Sequence, residues 1–208
     1  MHSFHAGTLA GPDALPVEII DRMFRLRFQV FHERLNWEVK VEEGREKDEF
    51  DDDQSIYIVG VDDQTASVDA AWRLRPTSVP YMLKDTFPML LQGRPAPCLP
   101  RVWEVSRFAV VNTPYADSGA GSFGALTRDL VAHTIHFATQ QGISSFVWVT
   151  SLGVERMARK LGYRLQRWGA PRMIGRVNCV VNEIGIDAHA ITLADHQLGA
   201  TVYLQEAA

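Results

Sequence analysis

Val102-Trp103-Glu104-Val105-Ser106-Arg107-Phe108 is an apolar run of strand type with Glu, Ser and Arg set into its middle. In regular extended backbone the side chains alternate, so Trp103, Val105 and Arg107 share one face and Glu104, Ser106 and Phe108 the other. A carboxylate and a hydroxyl then stand on one face beside an aromatic ring. Charged groups enter a half-buried strand when they are paired or in use. Two readings follow, a buried Glu-Arg structural pair or a chemical site, and both make this strand a member of a sheet interior.

The segments on either side supply the rest of that sheet. Upstream, Ser55 to Val61 and Val68 to Leu74 read as a hairpin turning at Asp62-Asp63-Gln64. Pro16 to Leu35 has the spacing of an amphipathic helix, with Ile19, Met23, Leu26 and Val30 on one stripe and Arg27, Phe31 and Arg34 on a neighbouring face. Residues 36–54 are too charged and aperiodic for a core element and read as a long surface loop. Six prolines between Pro76 and Pro100 make 75–100 a loop-rich excursion. Downstream, Gly119 to Gln141 is helical in period, and Phe146 to Thr150 is a short buried strand. Ser151 caps a helix that turns Val154, Met157, Ala158 and Leu161 inward and stops at Gly162. Met173 to Ile184 gives another strand, and the pattern beyond Asp187 is ambiguous. This order predicts an α/β fold, a three-layer α/β/α sandwich around a mixed central sheet, in a single domain over 1–208.

Composition narrows the chemistry. With 208 residues, 46% of them hydrophobic, the chain has the material for a full core. No apolar run approaches the ~18 residues of a membrane span, and Met1-His2-Ser3-Phe4-His5 lacks the pattern of a signal peptide, so a cytoplasmic location is expected. Cys98 and Cys179 are too few and too isolated for a disulfide framework or a metal site, and the seven His are scattered, with only His133 and His136 sharing a helix face. No metal site is expected. A net charge of −4 argues against a general nucleic-acid binder. The charge is polarised, however: acidic residues dominate from Glu38 to Asp53, whereas Arg156, Arg159, Lys160, Arg164, Arg167, Arg172 and Arg176 make the later part basic.

Phe24 to Trp37, Glu46-Lys47-Asp48-Glu49-Phe50-Asp51, Trp72-Arg73, Tyr81 to Pro88 and the Trp103 to Phe108 strand, taken in that order, resemble the acyl-homoserine lactone synthases, the LuxI-type autoinducer synthases. The positions carrying the resemblance are Arg27, Phe31, Arg34, Trp37, Asp48, Asp51, Arg73, Phe87, Glu104, Ser106 and Arg107. Arg159-Lys160-Leu161-Gly162-Tyr163 at the end of a strand-helix unit also looks like acetyltransferase-type (GNAT) domains, the fold of that family. Where such domains carry a Gln/Arg-x-x-Gly-x-Gly phosphate loop, this chain has Ala116-Asp117-Ser118-Gly119-Ala120-Gly121, without the basic or amide first position.

The resemblance implies that the amine of S-adenosylmethionine attacks an acyl thioester, after which its carboxylate attacks its own γ-carbon and releases methylthioadenosine and the lactone. Neither step needs an enzyme nucleophile, which agrees with the absence of a Gly-x-Ser-x-Gly elbow. Both reactants are substrates, so no cofactor is expected. Glu104 is the candidate base. Ser106 would hold a water or the thioester oxygen, and Arg107, on the opposite face of a regular strand, would pair with Asp48 or Asp51 of the loop. Asp48 and the rings of Trp37 or Phe31 suit the cationic parts of S-adenosylmethionine, and Asp51 is expected in the same binding site. Arg27 suits its carboxylate, and Arg73 either shares that role or anchors the loop. Phe87, Met82, Val105, Trp148 and Thr150 are candidates for an acyl slot between strands. Arg156, Arg159, Lys160 and Arg164 form a docking face for an acidic acyl carrier protein as donor, with acyl-CoA as the other possible donor. The competing reading is a GNAT-fold N-acyltransferase that uses acyl-CoA and another amine.

Overall fold

In the computed structural model, which describes residues 1–111 and 124–206, the Trp103 strand lies in the middle of an eight-stranded sheet. The elements in chain order are β1 His2–Gly7, α1 Val17–Arg27, a π-helical continuation Phe28–Arg34, β2 Val41–Glu42, β3 Arg45–Glu46, β4 Ile56–Asp62 and β5 Val68–Pro76. They continue with α2 Met82–Asp85, a 3-10 turn Pro88–Leu91, β6 Val102–Val110, α3 Ala125–Gln140, β7 Ser145–Ser151 and α4 Leu152–Lys160. The chain closes with β8 Leu165–Arg167, β9 Arg172–Ile174, β10 Val177–Gly185 and α5 Ala188–Glu206. The sheet order is β1-β4-β5-β6-β7-β10-β8, with β9 paired to β10. Every pairing is antiparallel except β6 with β7, so the expected mixed α/β/α sandwich is the fold observed.

Alternation divides the core. Ile58, Leu74, Val105, Phe146, Trp148 and Ile184 point to the face covered by α3 and α5, where they meet Leu130, Ile135 and Ala194. The odd-numbered residues Tyr57, Val59 and Ala71 face the other way, onto Met23, Leu26 and Val30 of the first helix. Further along that second face, Val147 and Val181 pack on Tyr81, Leu83, Leu90 and Val102. Between these two apolar clusters the same face carries Arg73, Arg75 and Glu104, all buried.

The structure departs from expectation in several elements. The strand at residues 2–7 and the long helix from Ala188 carry no strong pattern: β1 is an edge strand, mostly exposed on its outer face, and α5 is apolar on more than one side. The Pro16 helix widens to π geometry at Phe28, where Leu35 N donates to Val30 O five residues back. The presumed surface loop 36–54 contains the β2–β3 hairpin and buries Glu46, Phe50 and Asp51. The 75–100 excursion contains α2 and the 3-10 turn, and the Met173 strand is folded into β9 and β10 at Gly175, whose φ is +57°. Gly162 stops α4 as expected, with φ +100°. In α4, Val154, Met157 and Ala158 are half-buried, and the residue fully buried is Glu155. Cys98 is exposed and Cys179 half-buried. His133 stacks on Phe4 with ring centroids 4.3 Å apart, and His136 bonds Asp195 at 2.7 Å. The Ala116–Gly121 stretch and the start of the Gly119 helix lie outside the described residues. Among the described residues no helix is long and apolar enough to cross a membrane.

Candidate active site

Glu104 comes from β6 and is 1% exposed. Its two carboxylate oxygens accept from the backbone of the segment that passes over the strand: Leu83 N to Oε1 at 2.6 Å and Met82 N to Oε2 at 3.0 Å. Burial pushes its pKa up to about 7; the two amides and the nearby charges of Arg73 and Arg107 pull the other way without cancelling the effect. A carboxyl poised at this value exchanges a proton readily at neutral pH.

Beside it lies a layer of ion pairs. Arg27, 1% exposed, donates through Nε to Glu46 at 2.6 Å and through both terminal nitrogens to Asp51 at 2.6 and 2.8 Å. Arg73 bonds Asp48 at 2.5 and 3.1 Å, Asp51 at 2.9 Å and Ser106 Oγ at 3.1 Å. Arg107 bonds Glu46 at 3.0 Å and Asp48 at 2.7 Å. Tyr57 adds its hydroxyl to Asp51 at 2.7 Å. Burial works against ionising Asp51, and the Arg27 guanidinium overrides it, holding the carboxyl far below the ordinary range. Three guanidinium groups thus meet three carboxylates. Among the described residues this layer of three pairs is balanced by itself, and ionised Glu104 adds one negative charge beyond it.

This geometry corrects three assignments and selects one of two readings for a fourth. Arg107 does not point away from Glu104. Its φ is +55°, and the pairing of β5 with β6 shifts register between Ala71 and Arg73, so one extra residue in β6 turns the side chain back to the Ser106 face. The expected pairing of Arg107 with the loop is present, to Asp48 and to Glu46 rather than Asp51. Arg27 is 1% exposed and commits all three of its nitrogens to the buried Glu46 and Asp51, which turns it to the frame of the site rather than to a substrate carboxylate. Arg73 is the loop anchor of its two open readings. Asp51 is enclosed by Arg27, Arg73, Tyr57 and the Asp48 amide, so it shapes the site from behind.

At the rim, Phe31 is buried and Trp37 is 41% exposed, their rings stacked at 5.3 Å, with the Arg107 guanidinium 5.6 Å from the Phe31 ring. Arg34 is exposed and donates to Val110 O at 2.9 Å. A hollow of about 460 Å³ opens on the outer side of the loop, against Phe24, Lys40, Lys47 and Asp48. Glu46 and Met82 were the contributors that sequence reasoning missed or misplaced. Met82 Sδ lies 3.1 Å from both Arg73 and Arg107, whereas its apolar type suggested only an acyl contact. Glu46 sits in an acidic run whose composition points to solvent.

The acyl candidates divide between the two faces of the sheet. Met82 and Phe87 belong with Glu104, whereas Val105 and Trp148 pack toward α3 and α5, and alternation puts Thr150 with them. What joins the two groups is a break in the sheet. The β6–β7 ladder runs from Val102↔Ser145 to Glu104↔Val147 and goes no further, although both strands continue. The two strands therefore part beside Glu104, in a wedge whose first residues past the last pair are Val105 on β6 and Trp148 on β7, both buried.

On the basic side, Arg159 is not a free docking charge. It bonds buried Glu155 at 3.0 Å and Leu165 O at 2.9 Å, and Arg167 holds the same carboxylate. Arg156, Lys160 and Arg164 are exposed.

Comparison with known proteins places this arrangement. The autoinducer synthase family model matches residues 15–192. The acyl-homoserine-lactone synthase of Pseudomonas aeruginosa is 36% identical over 172 residues, 82% of this chain and 84% of that protein. The Aliivibrio fischeri synthase is 38% identical over 156 residues, 75% and 79% of the two chains. The crystal structure of the AHL synthase LasI superposes with a TM-score of 0.78 at 32% identity, covering 93% of each chain. A CoA-dependent acyl-homoserine lactone synthase solved with SAM and isopentyl-CoA gives 0.83 at 26% identity, over 96% of this chain and 90% of that one. A putative N-acetyltransferase from Lactobacillus plantarum, at 19% identity and 0.56, shares the fold.

Proposed function

Because this chain belongs to the autoinducer synthase family, and is an acyl-homoserine-lactone synthase, we propose that it acylates the amine of S-adenosylmethionine from an acyl thioester with Glu104 as the base. The nitrogen attacks the thioester carbonyl carbon as Glu104, directly or through a water, takes its proton. The carbon–sulfur bond then breaks, its electron pair goes to sulfur, and the donor leaves as a thiol with the proton that Glu104 took from the amine, which restores the carboxylate. In the second step a carboxylate oxygen attacks the γ-carbon, and the bonding pair goes to the sulfonium sulfur, which departs as neutral methylthioadenosine. Ring closure within one bound molecule gains from orientation, worth several kcal/mol in effective molarity.

The observation that carries this reading is the coincidence of Glu104 with the end of the β6–β7 ladder. A donor entering the wedge brings its thioester to a carboxyl whose proton affinity suits neutral pH. The added negative charge of ionised Glu104 favours a cationic substrate, and the exposed Trp37 ring on Phe31 offers a surface for it. The balanced ion layer holds β6 against the loop, and Ser106 and Arg107 belong to that frame, within reach of the thioester oxygen. Asp48, half-buried at its edge, is the most exposed of the three carboxylates in that layer. We assign the donor as an acyl carrier protein, on the exposed basic side of α4, and the location as cytoplasmic. Incubation with S-adenosylmethionine and a panel of acyl thioesters tests the function, with mass detection of methylthioadenosine and lactone; no release from any donor overturns it.

A further inference from the structure

Asn182 lies in the middle of β10 and is 0% exposed, yet among the described residues neither its amide nitrogen nor its amide oxygen has a hydrogen-bond partner. A buried amide left this way costs folding free energy, and native folds seldom keep one without a use. The backbone around it is regular. Asn182 pairs with Trp148 of β7 on one side and Arg167 of β8 on the other, with no register shift in either ladder. Cross-strand partners share a face, so the amide stands with Trp148, Thr150 and Ile184. Arg167 on that face is already committed to Glu155.

Trp148 is also the first β7 residue beyond the last β6–β7 pair. The wedge therefore opens one strand away from Asn182, a spacing of about 4.8 Å. We infer that Asn182 is a specificity-determining residue whose amide pairs with an uncharged oxygen, hydroxyl or keto, on the acyl chain of the donor. This rests on the reading that an acyl thioester enters between β6 and β7. The nitrogen can donate to either kind of oxygen, and the amide oxygen can accept from a hydroxyl. An unsubstituted chain leaves the amide as it is in the free enzyme. Selectivity then comes from a hydrogen bond that only the oxygenated chain makes.

The test compares purified wild type with Asn182→Leu, using donors of equal chain length with and without an oxygen substituent. The ratio of kcat/KM for the oxygenated over the plain donor should fall about tenfold in the variant, while its Tm holds or rises because an unpaired polar group has gone. Should the leucine not fit, Asn182→Val gives the same readout. An unchanged ratio overturns the inference. A lowered Tm with that unchanged ratio would mark the amide as a structural group satisfied by internal water. An equal loss with both donors overturns it too, as general damage to packing. Failure of the wild type to make lactone from any donor would instead strike the acyl-transfer reading beneath it.

Discussion

Glu104 is pulled in two directions, by a desolvated site that favours the neutral acid and by two amides that favour the carboxylate, and desolvation wins. Its folded pKa, about 7 against an ordinary 4.5, has two consequences of definite sign. As a base it must be ionised, so kcat/KM should rise with pH through about 7. In Glu104→Gln that limb should vanish and turnover should drop by about 10²–10⁴, as read from methylthioadenosine release. For stability, the native state holds the proton that the unfolded chain releases near pH 4.5. The carboxyl's contribution is present below that pH and is lost as pH rises toward 7. Denaturation of Glu104→Gln across this window should show a flatter profile than wild type. Glu104 and Ser106 were legible in sequence because alternation alone puts them together. Arg107 was not, since the bulge that re-aims it depends on pairing with β5, which no local pattern in β6 encodes. Asn182 was equally silent, because one amide in a run of strand-forming residues says nothing of what surrounds it.

Among elements, the loop that carries Glu46, Asp48 and Asp51 shows why composition misleads: charged residues read as solvated unless their partners are known, and these partners come from α1, β5 and β6. Arg27 links the first helix to that loop with three hydrogen bonds. Arg27→Met should leave two carboxylates buried without their main cation and cost about 3–5 kcal/mol in chemical denaturation. A variant of full stability with only a raised KM for S-adenosylmethionine would return Arg27 to substrate binding. Helices and strands with clear period, α1, β4 to β7 and α4, were readable along the chain. The π widening after Arg27 escaped notice because its side chains keep an amphipathic stripe while shifting the face on which Phe31 and Arg34 emerge.

At the scale of the whole molecule, sheet order was not legible, because the neighbours of β7 are β6 and β10, and nothing local selects β10 over β8. The charge asymmetry was legible, although Glu155 removes Arg159 from it. Changing Arg156, Lys160 and Arg164 together to Glu, and sparing Arg159, should raise the KM for carrier-protein donors most steeply at low salt and leave that for S-adenosylmethionine unchanged. A matching loss with acyl-CoA would favour nucleotide-phosphate binding at this surface. The early end of the β6–β7 ladder reaches further than catalysis. It gives the protein an edge in the interior of its sheet, where, among the described residues, β6 and β7 no longer pair with each other beyond Glu104 and Val147. An extended acyl donor that fills the wedge serves as a missing strand. Amides of residues 105–107 and 148–151 that face the gap should therefore trade hydrogen for deuterium quickly in the free enzyme and slowly once the donor is seated.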